Sequence, residues 1–375
     1  MVSTECEVTV LCTTYNQCQY LRRALDSILS QITDFSFEIV IHDDVSDDGT
    51  AEIIKEYERR YPDRVTAVFE EENQYSKGMD YIFKVINEHA RGRYIALCEG
   101  DDFWTDNNKL QIQRDTLERH SECDMCACLG CTVTEDGDTE VSRISPRDDD
   151  GILPLQDVIM GGGQYLVTAG LFFRKEMCDD MYGLDSLDYS LQMRGALRGG
   201  IYYIHRNMAV YRRYAKGSWT NNVLRNDKEL EKQWDKERRL LRSFDEHTGF
   251  KYHEVIQERL KAYTPFDVQL EEHSDEIEAI FKSCETPVYI WGMGRRGTAL
   301  EDYCKEHHFS IDGICDAANS DLGKETIFGN SVYSTEEVIT KAKTILASNQ
   351  FAYKDLLDGD YKGAIIDFQQ YMPLG

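Results

Sequence analysis

The chain has few basic residues and no long apolar run. Its 375 residues contain 42 Lys and Arg against 68 Asp and Glu, a formal net charge of −26. This charge argues against binding to nucleic acid and against direct adsorption to anionic lipid. The most apolar window, 153–173, is interrupted by glycines and polar residues, whereas a membrane span needs about 20 apolar residues. We therefore expect no nucleic-acid partner and no transmembrane segment.

The sequence also lacks the cysteine spacing of a disulfide framework. Twelve cysteines are scattered over a chain too large to need covalent staples. An acidic residue and then a strand pattern follow the N-terminal Met closely, so we expect no signal peptide. These features predict a cytoplasmic protein with free thiols.

Four of the cysteines form a C-x2-C-x-C-x2-C pattern, which could indicate zinc or an iron–sulfur cluster. The pattern lies in an apolar, strand-like segment. Strand alternation would place Cys126 and Cys128 on one face and Cys123 and Cys131 on the other, so the four could not surround one centre. We interpret them as core residues.

Strands and helices alternate at crossover length along the first part of the chain, as in a parallel α/β sheet. Apolar runs predict strands at residues 8–12, 37–41, 65–69 and 94–98. Polar loops follow three of these strands, at residues 13–16, 43–48 and 99–102. Because ligands bind at the carboxyl ends of parallel strands, these loops are candidates for one site.

The loop after the fourth strand carries three carboxylates, Glu99, Asp101 and Asp102. Side chains at i and i+2 of an extended segment share a face, so Glu99 and Asp101 can point at one target. Clustered carboxylates repel one another unless a cation lies between them, and such oxygen ligands suit Mg²⁺ or Mn²⁺. The alternative is a solvated acidic turn that caps the next helix.

Three segments together resemble the inverting nucleotide-sugar glycosyltransferases of family 2, which have the GT-A fold. The matching residues are Val-Thr-Val-Leu-Cys-Thr-Thr-Tyr-Asn at 8–16, Val-Ile-His-Asp-Asp-Val-Ser-Asp-Asp-Gly-Thr at 40–50, and Leu-Cys-Glu-Gly-Asp-Asp-Phe-Trp-Thr at 97–105, followed by Asn-Lys-Leu-Gln at 108–111. Their order and spacing match the family's. The resemblance implies an α/β domain of GT-A type, a Rossmann-like mixed sheet flanked by helices, over residues 1–220.

The resemblance also implies roles for residues at the strand ends. The expected nucleotide-sugar contacts are Thr13 and Tyr15 at the nucleoside, with the Tyr15 ring stacking on the base, and Asp43 and Asp44 as acceptors from base and ribose. Glu99 and Asp101 occupy the family's Asp-x-Asp positions. Asp101 would be the direct ligand of Mn or Mg, and Glu99 departs from the usual Asp.

The segment after residue 150 would supply the acceptor half and the catalytic base. In the family this base is an Asp before an aromatic residue at a helix start, and Asp188, before Tyr189, matches. It would take the proton of the acceptor hydroxyl as that oxygen attacks the anomeric carbon. Asp185 is the alternative base, and either residue could instead be a carboxylate that interacts with the helix dipole.

A basic segment follows the last predicted strand of this domain. Relatives often carry a His where Tyr214 stands, and the resemblance implies that this His contacts the metal or a phosphate. This sequence departs from that pattern. Arg212 and Arg213, with Lys216, are the expected cationic contacts of the departing diphosphate.

The rest of the chain changes character twice. Residues 221–286 are charge-rich with helical periodicity, and we interpret them as a helical connector that packs on the first domain. From residue 287 a strand enters Gly-x-Gly-x-x-Gly, followed by a helix at 298–307 and a strand at 311–315. The pattern is typical of a small Rossmann-like α/β domain.

This C-terminal domain, 287–375, could hold a second ligand. The candidate residues for a second nucleotide or dinucleotide site are Gly292, Gly294, Gly297 and Asp316. Ligand binding and a purely structural role remain equally open.

The expected function is transfer of a sugar from a nucleoside diphosphate, most simply a UDP-sugar, to a hydroxyl acceptor in surface polysaccharide or glycan synthesis. A lipid-linked glycan acceptor would bring the protein to the membrane periphery. One alternative is a non-catalytic sugar-nucleotide-binding scaffold. Another is an NAD-dependent sugar-nucleotide oxidoreductase or epimerase acting through the C-terminal domain, although no convincing catalytic set lies near residues 292–316.

Overall fold

Alternating strands and helices build two separate sheets in this chain. The computed structural model describes residues 6–74, 80–137, 139–180, 187–213, 215, 227–315, 322–348, 356–357 and 361–372. Contacts between residues divide the chain into two units, 1–257 and 258–375. The division 1–220, 221–286 and 287–375 stays a prediction.

The first unit is organised around a ten-stranded mixed sheet. Its strands are β1 (Cys6–Thr14), β2 (Ser36–Asp43), β3 (Val65–Phe69), β4 (Tyr94–Leu97), β5 (Phe103–Trp104), β6 (Met125–Val133), β7 (Glu140–Ile144), β8 (Gly151–Leu153), β9 (Leu171–Arg174) and β10 (Ile201–Arg212). They pair in the order β3-β2-β1-β4-β9-β6-β10-β5, with β7 on β6 and β8 on β10. The first four strands run parallel, and β9 is antiparallel to β4. The predicted mixed α/β class is confirmed.

Helices flank this sheet because their apolar residues recur at helical spacing. They are α1 (Leu21–Leu29), α2 (Thr50–Arg60), α3 (Asp80–His89), α4 (Lys109–Arg119), α5 (Leu155–Gly161), α6 (Leu187–Gly195) and α7 (Asp227–His247), while α8 (His253–Lys261) crosses the limit between the units. In α1, Leu21, Leu25 and Ile28 share one face and are fully buried against the core. Within the described ranges, none of the helices is long and apolar enough to cross a membrane.

Two segments of the acceptor half differ from their predicted form. The apolar runs at 202–204 and 208–211 predict two strands, but the structure has one, β10, whose pairing with β6 continues through register shifts between Ile204 and Ala209. The apolar run at 168–173 predicts a strand, but this segment opens as a short 3-10 turn, Thr168–Gly170, and only then continues as β9. Bulges and single turns leave little trace in the hydrophobic period, so the sequence did not predict either feature.

All four clustered cysteines are free and buried, and three of them lie on β6. Cys126 and Cys128 lie in the main core, whereas Cys131 belongs to a separate apolar cluster with Phe103. The expected alternation therefore holds within the strand. For Cys123 it is wrong: this residue precedes β6 and lies in the main core with Cys126.

The second unit contains a five-stranded parallel sheet. Its strands are β11 (Val288–Trp291), β12 (Gly313–Cys315), β13 (Val332–Tyr333), β14 (Thr344–Ala347) and β15 (Ala364–Asp367). They pair in the order β13-β12-β11-β14-β15. The helices of this unit are α9 (Phe266–Glu272), α10 (Ser274–Ser283), α11 (Arg295–Glu306) and α12 (Thr335–Lys341). The predicted second α/β sheet is present.

Part of the predicted connector belongs to this second unit. Leu270 of α9 and Ile277 of α10 are fully buried in one apolar cluster with Val288 and Leu300. The expectation that residues 221–286 pack on the first domain is therefore wrong for their second half. The physical reason is that these two helices bury their apolar residues against the sheet of the second unit.

Candidate functional site

The polar loops after β1, β2 and β4 meet at the carboxyl edge of the first sheet. The amide of Gly100 donates to Thr13 O at 2.9 Å, and that of Asp44 donates to Thr14 O at 3.1 Å. A Cβ on Gly100 would lie 2.5 Å from Gln17 Oε1 and 2.7 Å from Thr14 Cγ2. Only glycine therefore lets the acidic loop pack this closely against the end of β1.

The two carboxylates proposed to bind the nucleoside are buried and already hold these loops. Asp43 Oδ1 accepts hydrogen bonds from Thr14 Oγ1 at 3.1 Å and from Ser46 Oγ at 2.6 Å. Asp44 accepts from the amide of Gln74 at 2.6 Å and orders the loop after β3. Each carboxylate has further lone pairs, so binding of base or ribose stays a prediction. Tyr15 is 53% exposed, which leaves its ring face open to stacking.

Four carboxylates influence one another at this edge. Burial raises the pKa of Asp101 to about 6, and that of Glu99 and Asp102 well above the usual range. The charge of Asp188, which lies in the first turn of α6, raises the pKa of Glu99 and of Asp102 further. Burial also raises the pKa of Asp188 to about 6. The fold thus brings the predicted base to the acidic loop.

Asp102 and Arg212 fix the acidic loop to the end of β10. The amide of Arg212 donates to Asp102 Oδ1 at 2.9 Å, and its Nε donates to the carbonyl oxygen of Asp101 at 2.9 Å. The guanidinium also donates to Glu135 O at 2.6 Å and is only 2% exposed. Arg212 therefore has an internal structural role that the sequence did not indicate, and its contact with a diphosphate stays a prediction.

Of the residues that follow Arg212 in the basic segment, the structure describes the contacts of Arg213. The amide of Arg213 donates to Val133 O at 3.0 Å, which continues the pairing of β10 with β6. Tyr214 and Lys216 lie outside the described residues.

The donor set fits a hard divalent cation. Asp102 Oδ2 is buried and has no hydrogen-bond partner among the described residues. Burial raises the pKa of Glu99, Asp101 and Asp102, and the charges of neighbouring carboxylates raise that of Glu99 and Asp102 further. No set of three His, Cys, Asp or Glu in the described ranges is arranged as a complete metal cage. Mg²⁺ and Mn²⁺ do not require one, because they typically use one or two protein carboxylates and complete their shells with water and phosphate oxygens.

The predicted base has a neighbour that sequence reasoning missed. The neighbouring Thr168 lowers the pKa of Asp188, against the larger effect of burial, which raises it. Thr168 opens the 3-10 turn before β9, and no local pattern marks it as a site residue. Asp185, the alternative base, lies outside the described residues.

A cavity of about 590 Å³ borders Arg212. It is lined by Gln19, Tyr20, Arg23, Thr134, Glu135, Asp136 and Arg212. None of the residues proposed for catalysis or metal binding lines it. We therefore place the candidate active site at the carboxylates and not in this cavity.

The glycines of the second predicted site differ in why the structure needs glycine at each position. A Cβ on Gly297 would lie 1.8 Å from Gly292 O, so helix α11 needs glycine there to approach the turn after β11. Gly292 has a φ of +110°, which favours glycine. Within the part of the chain that the structure describes, nothing lies within 4 Å of a Cβ added at Gly294, and Asp316 lies outside that part. Ligand binding here stays a prediction.

Comparisons with known proteins place the first unit in a family. The model "Glycosyl transferase family 2" matches residues 9–216. An uncharacterised protein of Mycobacterium tuberculosis is 36% identical over 215 residues, which are 56% of this chain and 60% of the relative. A putative teichuronic acid biosynthesis glycosyltransferase, TuaG of Bacillus subtilis, is 33% identical over 114 residues, 30% of this chain and 43% of that protein.

A solved structure shows a more distant likeness. Staphylococcus aureus TarS 1–349 in complex with UDP-GlcNAc is 16% identical, with a TM-score of 0.46, over 72% of this chain and 87% of that one. The mycobacterial match spans less than two thirds of that relative's length. The family match covers more than half of the chain and includes every loop of the candidate site. The protein belongs to glycosyl transferase family 2.

Proposed function

We propose that this protein is a metal-dependent, inverting glycosyltransferase that moves a sugar from a nucleoside diphosphate, most simply UDP, to a hydroxyl acceptor. One observation supports the proposal above the others: the charge of Asp188 raises the pKa of Glu99 and of Asp102, which follow the carboxyl end of the parallel strand β4. Such a transfer needs a general base and a cation at the same site, and clustered carboxylates suit a cation.

In the proposed reaction Asp188 accepts the proton of the acceptor hydroxyl. The acceptor oxygen forms a bond to the anomeric carbon while the bond from that carbon to the diphosphate oxygen breaks on the opposite face, which inverts the configuration. The electron pair of the broken bond leaves with the diphosphate. Asp101, with Glu99, would hold Mn or Mg, which neutralises the charge developing on the leaving group.

The state of Asp188 suits a base near neutral pH. Burial raises the pKa of this carboxyl to about 6, and the charge of Glu237 on α7 adds to the shift. The carboxylate is therefore more basic than a solvated Asp yet mostly ionised near pH 7. General bases are most effective when their pKa lies close to the operating pH.

The biological setting follows from the relatives by name only. TuaG of Bacillus subtilis is named as a putative teichuronic acid biosynthesis glycosyltransferase. This supports a role of the present chain in surface polysaccharide or glycan assembly. The acceptor would be a glycan or a lipid-linked molecule, and one of its hydroxyl groups would receive the sugar. A panel of donors identifies the nucleotide and the sugar.

A panel of UDP-, GDP- and TDP-sugars incubated with the purified protein and Mn²⁺ tests the proposal, with release of free nucleotide as the readout. We expect release from at least one donor, loss of release with excess chelator, and loss in Asp101→Asn. Asp149→Asn is the matched control, because Asp149 is an exposed carboxylate far along the chain from the acidic loop. Full release in the presence of chelator would remove the metal from the mechanism, and no release from any donor would contradict the proposed activity.

A further inference from the structure

Arg212 joins three parts of the first unit: the end of β10, the acidic loop and the turn between β6 and β7. Its Nε donates to the carbonyl oxygen of Asp101 at 2.9 Å, and its Nη1 donates to the carbonyl oxygen of Glu135 in that turn at 2.6 Å. The amide of Arg212 donates to Asp102 Oδ1 at 2.9 Å. One residue therefore holds two consecutive members of the acidic loop.

The guanidinium that makes these bonds is itself fixed. Its carbon Cζ lies 4.6 Å from the centre of the Tyr20 ring and 5.6 Å from the centre of the Phe103 ring. The hydroxyl of Tyr20 donates to Glu135 Oε1 at 3.0 Å, so Tyr20 is tied to the residue whose carbonyl group accepts from Arg212. A planar guanidinium that contacts two rings and two carbonyl oxygens is held in one orientation.

The backbone around Asp101 is held on both sides. The amide of Gly100 donates to a carbonyl oxygen of β1 at 2.9 Å, and the amide of Asp102 donates to Glu99 O at 3.0 Å. With the bond from Arg212 Nε, these contacts fix the chain before, at and after Asp101. A side chain adopts only a few rotamers on a given backbone, so the fixed backbone limits where the Asp101 carboxylate can point.

The surroundings of Arg212 favour a role other than contact with the leaving diphosphate. At 2% exposure the residue presents little surface to a ligand. Its positive charge would not help a cation to bind at Asp101 either, because like charges repel. What Arg212 supplies is a fixed position for the loop that carries the cation ligand. Hydrogen-bond partners around metal ligands commonly change metal affinity by about 10- to 100-fold.

We propose that Arg212 is a positioning residue for Asp101, and that it holds the acidic loop ready for a divalent cation before the donor arrives. The inference rests on the proposed function, in which Asp101 holds Mn²⁺ or Mg²⁺. In this scheme Arg212 touches neither the cation nor the diphosphate. It acts on cation affinity through the backbone of Asp101 and the carboxylate of Asp102.

Four variants of the full-length protein test the inference. Arg212→Gln removes the charge and the paired donors, whereas Arg212→Lys keeps the charge but cannot donate to two carbonyl oxygens from one plane. Tyr20→Leu removes the ring beside the guanidinium. The control is Arg119→Gln, because Arg119 is an exposed arginine in the last turn of α4, outside the site. Mn²⁺ binding without nucleotide is measured from the electron paramagnetic resonance signal of the free ion, and UDP binding in excess EDTA by calorimetry.

We expect the Kd for Mn²⁺ to rise about 10- to 100-fold in Arg212→Gln, and by a similar factor in Arg212→Lys. Tyr20→Leu should raise it about two- to fivefold, the factor that corresponds to a cation–π contact of about 0.5–1 kcal/mol. The affinity for UDP without metal should stay within about twofold in all variants. Arg119→Gln should match the wild type in both measurements.

An Mn²⁺ affinity of Arg212→Gln equal to or above that of the wild type would overturn the inference, since loss of a neighbouring positive charge alone would tighten cation binding. Wild-type Mn²⁺ affinity in Arg212→Lys would overturn it as well, because the charge and not the paired donors would then matter. An equal loss of metal-free UDP affinity would instead assign Arg212 to the diphosphate. If the Arg212 variants do not fold, Tyr20→Leu decides, and unchanged Mn²⁺ affinity there would overturn the inference.

The same measurements separate this inference from the proposed function. A wild type that binds Mn²⁺ but releases nucleotide from no donor would contradict the proposed transfer and leave the role of Arg212 to be judged by the variants above. A wild type that binds no Mn²⁺ without nucleotide would overturn the inference, whereas the panel of donors tests the transfer independently.

Discussion

At the scale of single residues, the carboxylate cluster couples the chemistry of the site to the stability of the fold. Burial raises the pKa of Asp101 and of Asp188 to about 6 in the folded chain, from an ordinary value of 3.8. Between about pH 4 and pH 6 the folded state therefore binds more protons than the unfolded state. These two groups favour folding at the acidic end of this window, and their contribution is lost as the pH rises through it.

A cation at Asp101 should reverse that loss. In urea unfolding near pH 7, Mn²⁺ at about 100 times its Kd should stabilise the protein by about 2.7 kcal/mol, with a much smaller effect near pH 5. Asp101→Asn should abolish the stabilisation, and the exposed control Asp149→Asn should retain it. Equal stabilisation of Asp101→Asn and the wild type would exclude Asp101 as a ligand.

Val45, in the loop after β2, has a backbone conformation that suits another residue type. Its φ is +66°, in the left-handed region, and its side chain is 41% exposed. The hydrogen bonds of Ser46 to Asp43 hold the loop in this form. Strain of this kind costs of order 1–3 kcal/mol, and it concentrates at functional sites.

Val45→Gly should therefore raise the free energy of unfolding by about 1 kcal/mol, because glycine adopts the left-handed region freely and little apolar surface is lost. Val45→Asn should give a smaller gain of the same sign, since Asn tolerates this region better than a β-branched residue. Chemical unfolding of the three proteins at equal pH measures the effect. A decrease in Val45→Gly would show that the Val side chain contributes more by contact than its backbone costs.

At the scale of elements, the sequence predicted the strands whose ends build the site. The apolar runs before Thr13, Asp43 and Glu99 are short, and glycines or polar turns end them, so β1, β2 and β4 were found in their order. Parallel topology then determines that their carboxyl ends meet.

The sequence could not predict the turn at Thr168–Gly170 or its partners. The bond from Trp104 to Ala169 joins residues far apart in the chain, and such a pairing leaves no periodic signal. The same holds for Asp102 and Arg212, because two adjacent Asp residues look alike until the fold turns one of them toward β10. In the second unit, β13 has only two residues, too few for a hydrophobic pattern, whereas β12 lies within the predicted strand at 311–315.

Two glycines in the turn after β11 differ in how closely the structure packs around them, and alanine substitutions test this difference. Gly297→Ala should lower the stability of this unit by about 1–3 kcal/mol, as overpacking usually does, because the new Cβ would meet Gly292 O and push α11 from β11. Gly294→Ala should change it by less than about 1 kcal/mol, since the position is open and serves as the N-cap of α11. Hydrogen exchange of peptides from residues 288–315 measures both. Equal effects would show that the packing of α11 does not require glycine at 297.

At the scale of the whole molecule, the two hydrophobic cores determine where the chain can be truncated without loss of folding. Every residue proposed for transfer lies in the first unit, while Leu270 and Ile277 are buried in the core of the second. A chain ending at Thr264 should stay soluble and keep donor hydrolysis with Mn²⁺. A chain ending at Glu285 should aggregate, because it would expose side chains whose burial is worth about 1.5–3 kcal/mol each.

Size-exclusion chromatography and nucleotide release distinguish the two truncated chains. A folded 1–264 chain that has lost hydrolysis would show that the second unit is needed for the chemistry. Equal solubility of the two chains would show that α9 and α10 do not depend on the second sheet.

The central claim is that Asp188 and the acidic loop form one active site, and it is tested most directly by the turnover of Asp188→Asn beside its affinity for the donor. General bases contribute about 10² to 10⁴ to a rate, so kcat should fall by that factor while the Kd for UDP with Mn²⁺ stays within about twofold of the wild type. Asp185→Asn, measured in parallel, should keep most of the wild-type kcat. Unchanged turnover in Asp188→Asn, or the large loss in Asp185→Asn instead, would contradict the assignment.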